Sequence, residues 1–168
     1  MLIDSVRLLL FPTVMALVVS SDLLTMTISN RLSLLLFFGF FGLALVTGMN
    51  LAALGDHVSA GLLVFAITFV MFGRGWIGGG DAKLAATTAL WMGFDQLLTY
   101  FLWVSLLGGA LTYLLMAFRL LPLPNFLARE QWVARLHQID GRVPYGLALA
   151  AAALLVYPDT AFMAVSAP

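Results

Sequence analysis

Six apolar stretches follow one another along this chain, at about 5–21, 31–49, 57–73, 82–94, 97–118 and 144–165. Most approach the roughly 20 residues that a helix needs to cross a bilayer. The fourth is short, and Pro158 and Asp159 interrupt the sixth. A backbone facing lipid must satisfy its polar groups internally, so each stretch is read as a helix. The pattern predicts an all-α polytopic membrane protein with about six transmembrane helices. Composition agrees: 62% of residues are hydrophobic and 10% charged, against about half and a quarter in soluble domains. No repeat or composition shift marks a second domain, so 1–168 reads as one membrane-embedded unit.

Alternation from an N-terminus outside places the 22–30, 74–81 and 119–143 segments in the cytoplasm. Those segments and their borders hold Arg31, Arg74, Lys83, Arg119, Arg129, Arg135 and Arg142, while the other side holds Arg7 alone. Basic residues concentrate on the cytoplasmic side of membrane proteins, which supports this orientation. A competing reading makes Leu8 to Val19 the core of a signal peptide cleaved after Ser21. Asp4 cancels Arg7 there, so the expected positive n-region is missing. Within 119–143, Asn125 reads as an N-cap. Trp132, Val133, Leu136 and Ile139 follow at helical spacing beside Arg129, Arg135 and Arg142. This predicts a short amphipathic helix on the cytoplasmic surface, serving as a basic anchor or as a docking surface for a substrate leader.

Several chemistries drop out. The net charge of zero argues against nucleic acid, which needs a basic surface. With no cysteine, thiolate nucleophiles and Cys-ligated zinc are excluded. His57 and His137 lack metal-ligand spacing, so neither metal nor cofactor is implied.

Two acids stand apart. Asp22 and Asp81 each border an apolar span on the same expected side. Acids so close to hydrocarbon are costly unless they face a polar cavity or water. Asp81 follows Gly78-Gly79-Gly80, and Gly78 and Gly80 permit close approach of another backbone. Singly, each acid could be an ordinary helix-end residue, with Asp81 as an N-cap. Together they suit a water-activating dyad that shares one proton. The dipole of the helix after Asp81 favours the base role there, and the end of the helix at Asp22 favours the acid role. Lys83 reads as a loop-orienting or snorkelling lysine. Asn30 reads as a cap for the second span or a substrate contact, and Tyr145 as an interfacial residue able to hydrogen-bond near the site.

These residues resemble a known family. Gly78-Gly79-Gly80-Asp81 fits the GxGD motif of membrane aspartic proteases, and Lys83 and Leu84 extend it towards the prepilin-peptidase form, GxGDxKL. Ile28 and Asn30 stand six and eight places after Asp22, as in that family's first aspartate motif. Val143-Pro144-Tyr145-Gly146 resembles its C-terminal PYG segment. Ser29 stands where proline is common, and Leu24 and Met26 where polar residues are frequent. The resemblance implies a catalytic pair of Asp22 and Asp81, supported by Gly78, Gly80, Lys83, Asn30 and Tyr145. It implies an enzyme of the bacterial inner membrane that acts on prepilins and pseudopilins, with membrane lipids and the pilus assembly machinery as further partners. Without cysteines or the region that carries them, the chain resembles the short, peptidase-only form serving Flp pili, with no N-methyltransferase. Two alternatives remain open: another GxGD intramembrane protease, or a small transporter or channel subunit with paired acids.

Overall fold

The computed structural model describes residues 2–138 and 141–164. Its order is α1 (Leu2–Thr25), α2 (Asn30–Val46), α3 (Leu51–Gly73), α4 (Gly79–Leu120), α5 (Asn125–Ala128), α6 (Gln131–His137) and α7 (Tyr145–Val156). A 3₁₀ turn (Tyr157–Asp159) and α8 (Ala161–Ala164) follow. No strand occurs among the described residues. Ile3–Thr25, Leu51–Gly73 and Gly79–Leu120 are each long and apolar enough to cross a membrane, whereas Asn30–Val46 and Tyr145–Asp159 are apolar but shorter.

The expected fourth and fifth stretches are joined in α4, which folds back on itself. A straight helix of its 42 residues would run about 63 Å. Yet both ends meet Arg142: Asp81 lies beside its charge, and Arg119 Nη2 donates to its carbonyl at 3.1 Å. The reversal falls at Gly93, with φ 63° and ψ 179°, a region closed to ordinary side chains. It breaks the helical bond from the Phe94 N–H to the Leu90 carbonyl. Two consecutive residues of α3 replace it. Asp56 Oδ2 accepts from the Phe94 N–H at 3.1 Å, and His57 Nδ1 donates to the Leu90 carbonyl at 2.9 Å. The polar Asp56-His57 pair, which delays the expected start of the third stretch to 57, thus lies inside α3 with a structural task. A Cβ on Gly93 would stand 3.0 Å from His57 Cε1 and 3.1 Å from Asp56 Oδ2. Gly93→Ala is therefore expected to cost about 1–3 kcal/mol from backbone strain alone, read as a lower thermal midpoint in detergent.

Packing follows the logic of lipid-facing bundles, where small residues let helices approach closely. Ala148, Ala150, Ala152 and Ala153 of α7 are buried, as are Ala82, Ala85, Ala86 and Ala89 of α4. Large apolar side chains such as Leu45, Leu51 and Leu98 point outward. An aromatic cluster closes the core: Phe11 stacks on Tyr157 at 4.4 Å between ring centroids, and Trp91 lies 5.0 Å from Phe11. Tyr157 donates to the Arg7 carbonyl at 2.7 Å, joining the start of α1 to the end of α7.

The segment after α4 differs from its expected form. Asn125 is the first helical residue of α5, with Pro124 in the cap position. The helix stops after Ala128 and restarts as the seven-residue α6. Val133 and Leu136 are buried, and Arg135 Nη2 donates to the Leu24 carbonyl at 2.5 Å. The apolar face of α6 therefore packs on the bundle at the end of α1. Ile139 lies outside the described residues.

Candidate active site

Three chain segments converge on the acids. The first is the exit from α1. The Met26 N–H returns to the Asp22 carbonyl at 2.8 Å, with Met26 at φ 55°. That left-handed position usually falls to glycine and costs other residues about 1–2 kcal/mol. It turns the chain so that Ile28 comes back beside Asp22. Ser29 then caps α2 by accepting from the Arg31 N–H at 3.3 Å. Asn30, expected as a possible cap, is instead the first residue of that helix.

The second segment links α3 to α4. Gly75, at φ 73°, ends α3 in a left-handed cap: its N–H bonds to the Phe72 carbonyl at 2.9 Å, and the Trp76 N–H to the Met71 carbonyl at 3.0 Å. Gly78 precedes α4 and has no side chain to cap it. Asp81 turns back towards the Gly78 N–H, the reach of the acid in a capping box. A Cβ on Gly78 would lie 3.0 Å from Asp81 Oδ2.

The third segment is the start of α7. The N–H groups of Gly146 and Leu147 face the Asp22 carboxyl group. Asp22 is 5% exposed, and its Oδ2 has no hydrogen-bond partner, so this buried acid keeps an acceptor open. The structure removes the contrast in helix dipoles expected between the acids. Asp22 ends one helix but meets the N-terminus of another, so each acid faces a helix N-terminus.

Ile28 locks the three segments together. A Cβ on Gly80 would lie 3.1 Å from Ile28 Cβ and 3.6 Å from its backbone N and O. A Cβ on Gly146 would lie 2.6 Å from Ile28 Cδ1 and 2.7 Å from Asp22 Oδ2. Glycines from two motifs thus make room for one isoleucine from a third.

The result is a cavity of about 950 Å³ lined by Asp22, Asp81, Gly78, Gly80, Arg142 and Tyr145, among others. Asp22 and Asp81 interact electrostatically across it. Tyr145 contributes to its wall, but its hydroxyl packs against Gly108 on the returning arm of α4. Lys83 and Asn30 are not in this cavity. Lys83 Nζ donates to Asn30 Oδ1 at 2.9 Å, and both line a different cavity between α2, α3 and α4.

Arg142 is the site residue that sequence reasoning treats as a topology marker and as part of a basic surface segment, not as a neighbour of the acids. It is held by Arg119, whose guanidinium donates to the carbonyls of Leu136 at 2.8 Å, Gly141 at 2.9 Å and Arg142 at 3.1 Å. Its place two residues before Pro144 is the available signal. Arg119→Ala removes these three charge-assisted bonds to described residues, among others, each worth about 1.5–3 kcal/mol at most. It is expected to lower the thermal midpoint in detergent.

Taken together, this is an apolar helical bundle with two acids from separate motifs facing one cavity. Residues 9–113 match the sequence model of the type IV leader peptidase family. The match spans more than half of the chain and includes both acids, and the chain belongs to that family. It ends before Pro144-Tyr145-Gly146. Comparisons with curated proteins and with solved structures give no match.

Proposed function

We propose that this chain is an aspartic endopeptidase of the bacterial inner membrane. In this reading it removes the leader of Flp-type prepilins and pseudopilins at the cytoplasmic face. The observation that carries it is the shared cavity: Asp22 and Asp81 line the same space, in a chain of the type IV leader peptidase family. One carboxylate takes a proton from a water, and that water attacks the scissile carbonyl. The other acid protonates the carbonyl oxygen, and the proton reaches the leaving amine as the C–N bond breaks. The glycines 78–80 line the same cavity and leave room for Asp81, Phe72 and Ile28 at its wall. Arg142, beside Asp81, supplies the cation that balances an anion in the pair.

The membrane reading follows the fold. With α4 reversing at Gly93, this reading takes α1, α2, α3, the two arms of α4, and α7 as six passes. Asp22 and Asp81 then share one end of the bundle with Arg31, Arg74, Arg119 and Arg142, which the positive-inside bias assigns to the cytoplasm. The absence of cysteine supports the peptidase-only form.

The test is to express the protein with an Flp-type prepilin and follow the leader on a gel, then weigh the new N-terminus. The expected product has lost its leader and carries no added methyl group. An uncut prepilin in membranes that contain folded protein would overturn the reading.

A further inference from the structure

The second cavity, of about 610 Å³, lies between α2, α3 and the first arm of α4. Its volume is within the range of roughly 300–1,000 Å³ typical of ligand sites. Phe37, Phe41, Val58, Leu62 and Phe65 form most of its apolar wall. Phe37 and Leu62 are exposed, so the groove opens sideways to the surroundings of the bundle. Its polar groups gather at the end nearest the acids. Asn30 begins α2, and Lys83 lies in the first turns of α4. Lys83 is the one charged residue in the lining, and no acid joins it.

An ammonium has three donors, and Lys83 gives one to Asn30 Oδ1. That bond leaves the Asn30 amide donors free to point elsewhere. The groove thus offers two adjacent sets of donors, one cationic, at the head of an apolar slot that opens to lipid. We infer that it binds one anionic phospholipid of the surrounding bilayer. The headgroup phosphate sits on Lys83 and Asn30, and an acyl chain lies along Phe37, Phe41, Leu62 and Phe65. An unbalanced cation favours a net negative headgroup over a zwitterionic one, whose own cation would approach Lys83.

The position gives such a lipid a consequence. Lys83 is two residues past Asp81, and Asn30 two past Ile28. A lipid held on both ties together, from outside the acid cavity, the same two loops that form it. The inference does not depend on peptidase activity, and its test reads lipid.

The full chain, purified in mild detergent, is titrated with phosphatidylglycerol and with phosphatidylcholine of the same acyl chains, and bound lipid is counted by native mass spectrometry. One lysine at a membrane surface contributes about 1 kcal/mol towards an anionic lipid, so a preference of about fivefold for phosphatidylglycerol is expected. Lys83→Gln should erase the preference, because its amide can still reach Asn30 but carries no charge. Lys83→Arg should keep it. Val58→Trp, and independently Leu62→Trp at an exposed position, should reduce retention of both lipids. Equal retention of the two lipids by the native protein would overturn the inference. So would a preference that survives Lys83→Gln, or native retention in both tryptophan variants. A photo-crosslinker at position 62 that captures the apolar helix of a prepilin, with lipid retention unchanged, would assign the groove to substrate and also overturn it.

Discussion

Asp22→Asn and Asp81→Asn each leave a folded protein that cuts its prepilin about 10²- to 10⁴-fold more slowly than the native chain. An amide has nearly the shape of a carboxylic acid but cannot take up or release the proton that the reaction moves. The loss should fall on kcat, since neither acid is asked to hold the substrate in the ground state. Folding should survive for different reasons at the two sites. Asp81 is partly exposed, and its side chain lies beside Gly78, where the oxygen of an asparagine can still accept from the Gly78 N–H. Asp22 is buried, but its neighbours are the N–H groups of Gly146 and Leu147, which an amide oxygen can also meet. The double variant should be little worse than either single one, because residues that act as a unit do not contribute additively. Leader removal measured in reconstituted bilayers, with thermal midpoints as a folding check, decides the matter. Near-native cleavage by either single variant would remove that acid from the dyad. Losses that multiply in the double variant would show two independent roles.

The sequence carries the all-helical class, the apolar segments and the two acids because each leaves a local trace. Apolar length predicts helices whatever the partner, and Asp81 is marked by its glycine run. What depends on distant contacts is not legible in this way. The turn at Gly93 falls within the expected fourth stretch, two residues before the gap that separates it from the fifth, and nothing local shows that Asp56 and His57 supply the hydrogen bonds it breaks. Asp56 stands just before the third apolar stretch and His57 opens it, and only the packing of α3 on α4 brings them there. The same limit explains the dipole argument at Asp22. Sequence shows which helix Asp22 ends, but not that α7 begins against it. It also explains Lys83 and Asn30, which sit inside the right motifs yet bond to each other on the far side of the loops from the acid cavity. The 119–143 segment shows the limit in another way. Its helical spacing is real, but Val133 and Leu136 found a protein surface to bury against, and a basic amphipathic pattern does not distinguish that surface from a membrane.

Gly146 should be the least tolerant glycine of the site, although it is remote in sequence from both acids. Its missing side chain leaves room for Asp22 Oδ2 and Ile28 Cδ1, which would stand 2.7 and 2.6 Å from a Cβ. Gly146→Ala must therefore push the carboxyl group, the isoleucine or α7 itself. A shift near 1 Å in a reacting group can cost about 10²-fold in rate, and a loss of that order is expected. Gly80→Ala should be milder, because its nearest contact is 3.1 Å from Ile28 Cβ and a few tenths of an ångström would relieve it. Gly109→Ala, with nothing within 4 Å, should be silent. Adding Ile28→Ala to Gly80→Ala should restore little of the lost rate, since alanine keeps the Cβ and backbone that this clash meets. Adding it to Gly146→Ala should restore part of the rate, because it removes the Cδ1 contact while the contact with Asp22 remains. Initial rates of leader removal for these variants, beside their thermal midpoints, separate displacement of the acid from loss of the fold. Full rescue of Gly146→Ala by Ile28→Ala would mean that Gly146 serves Ile28 alone. A native rate in Gly146→Ala would mean that the start of α7 does not position Asp22.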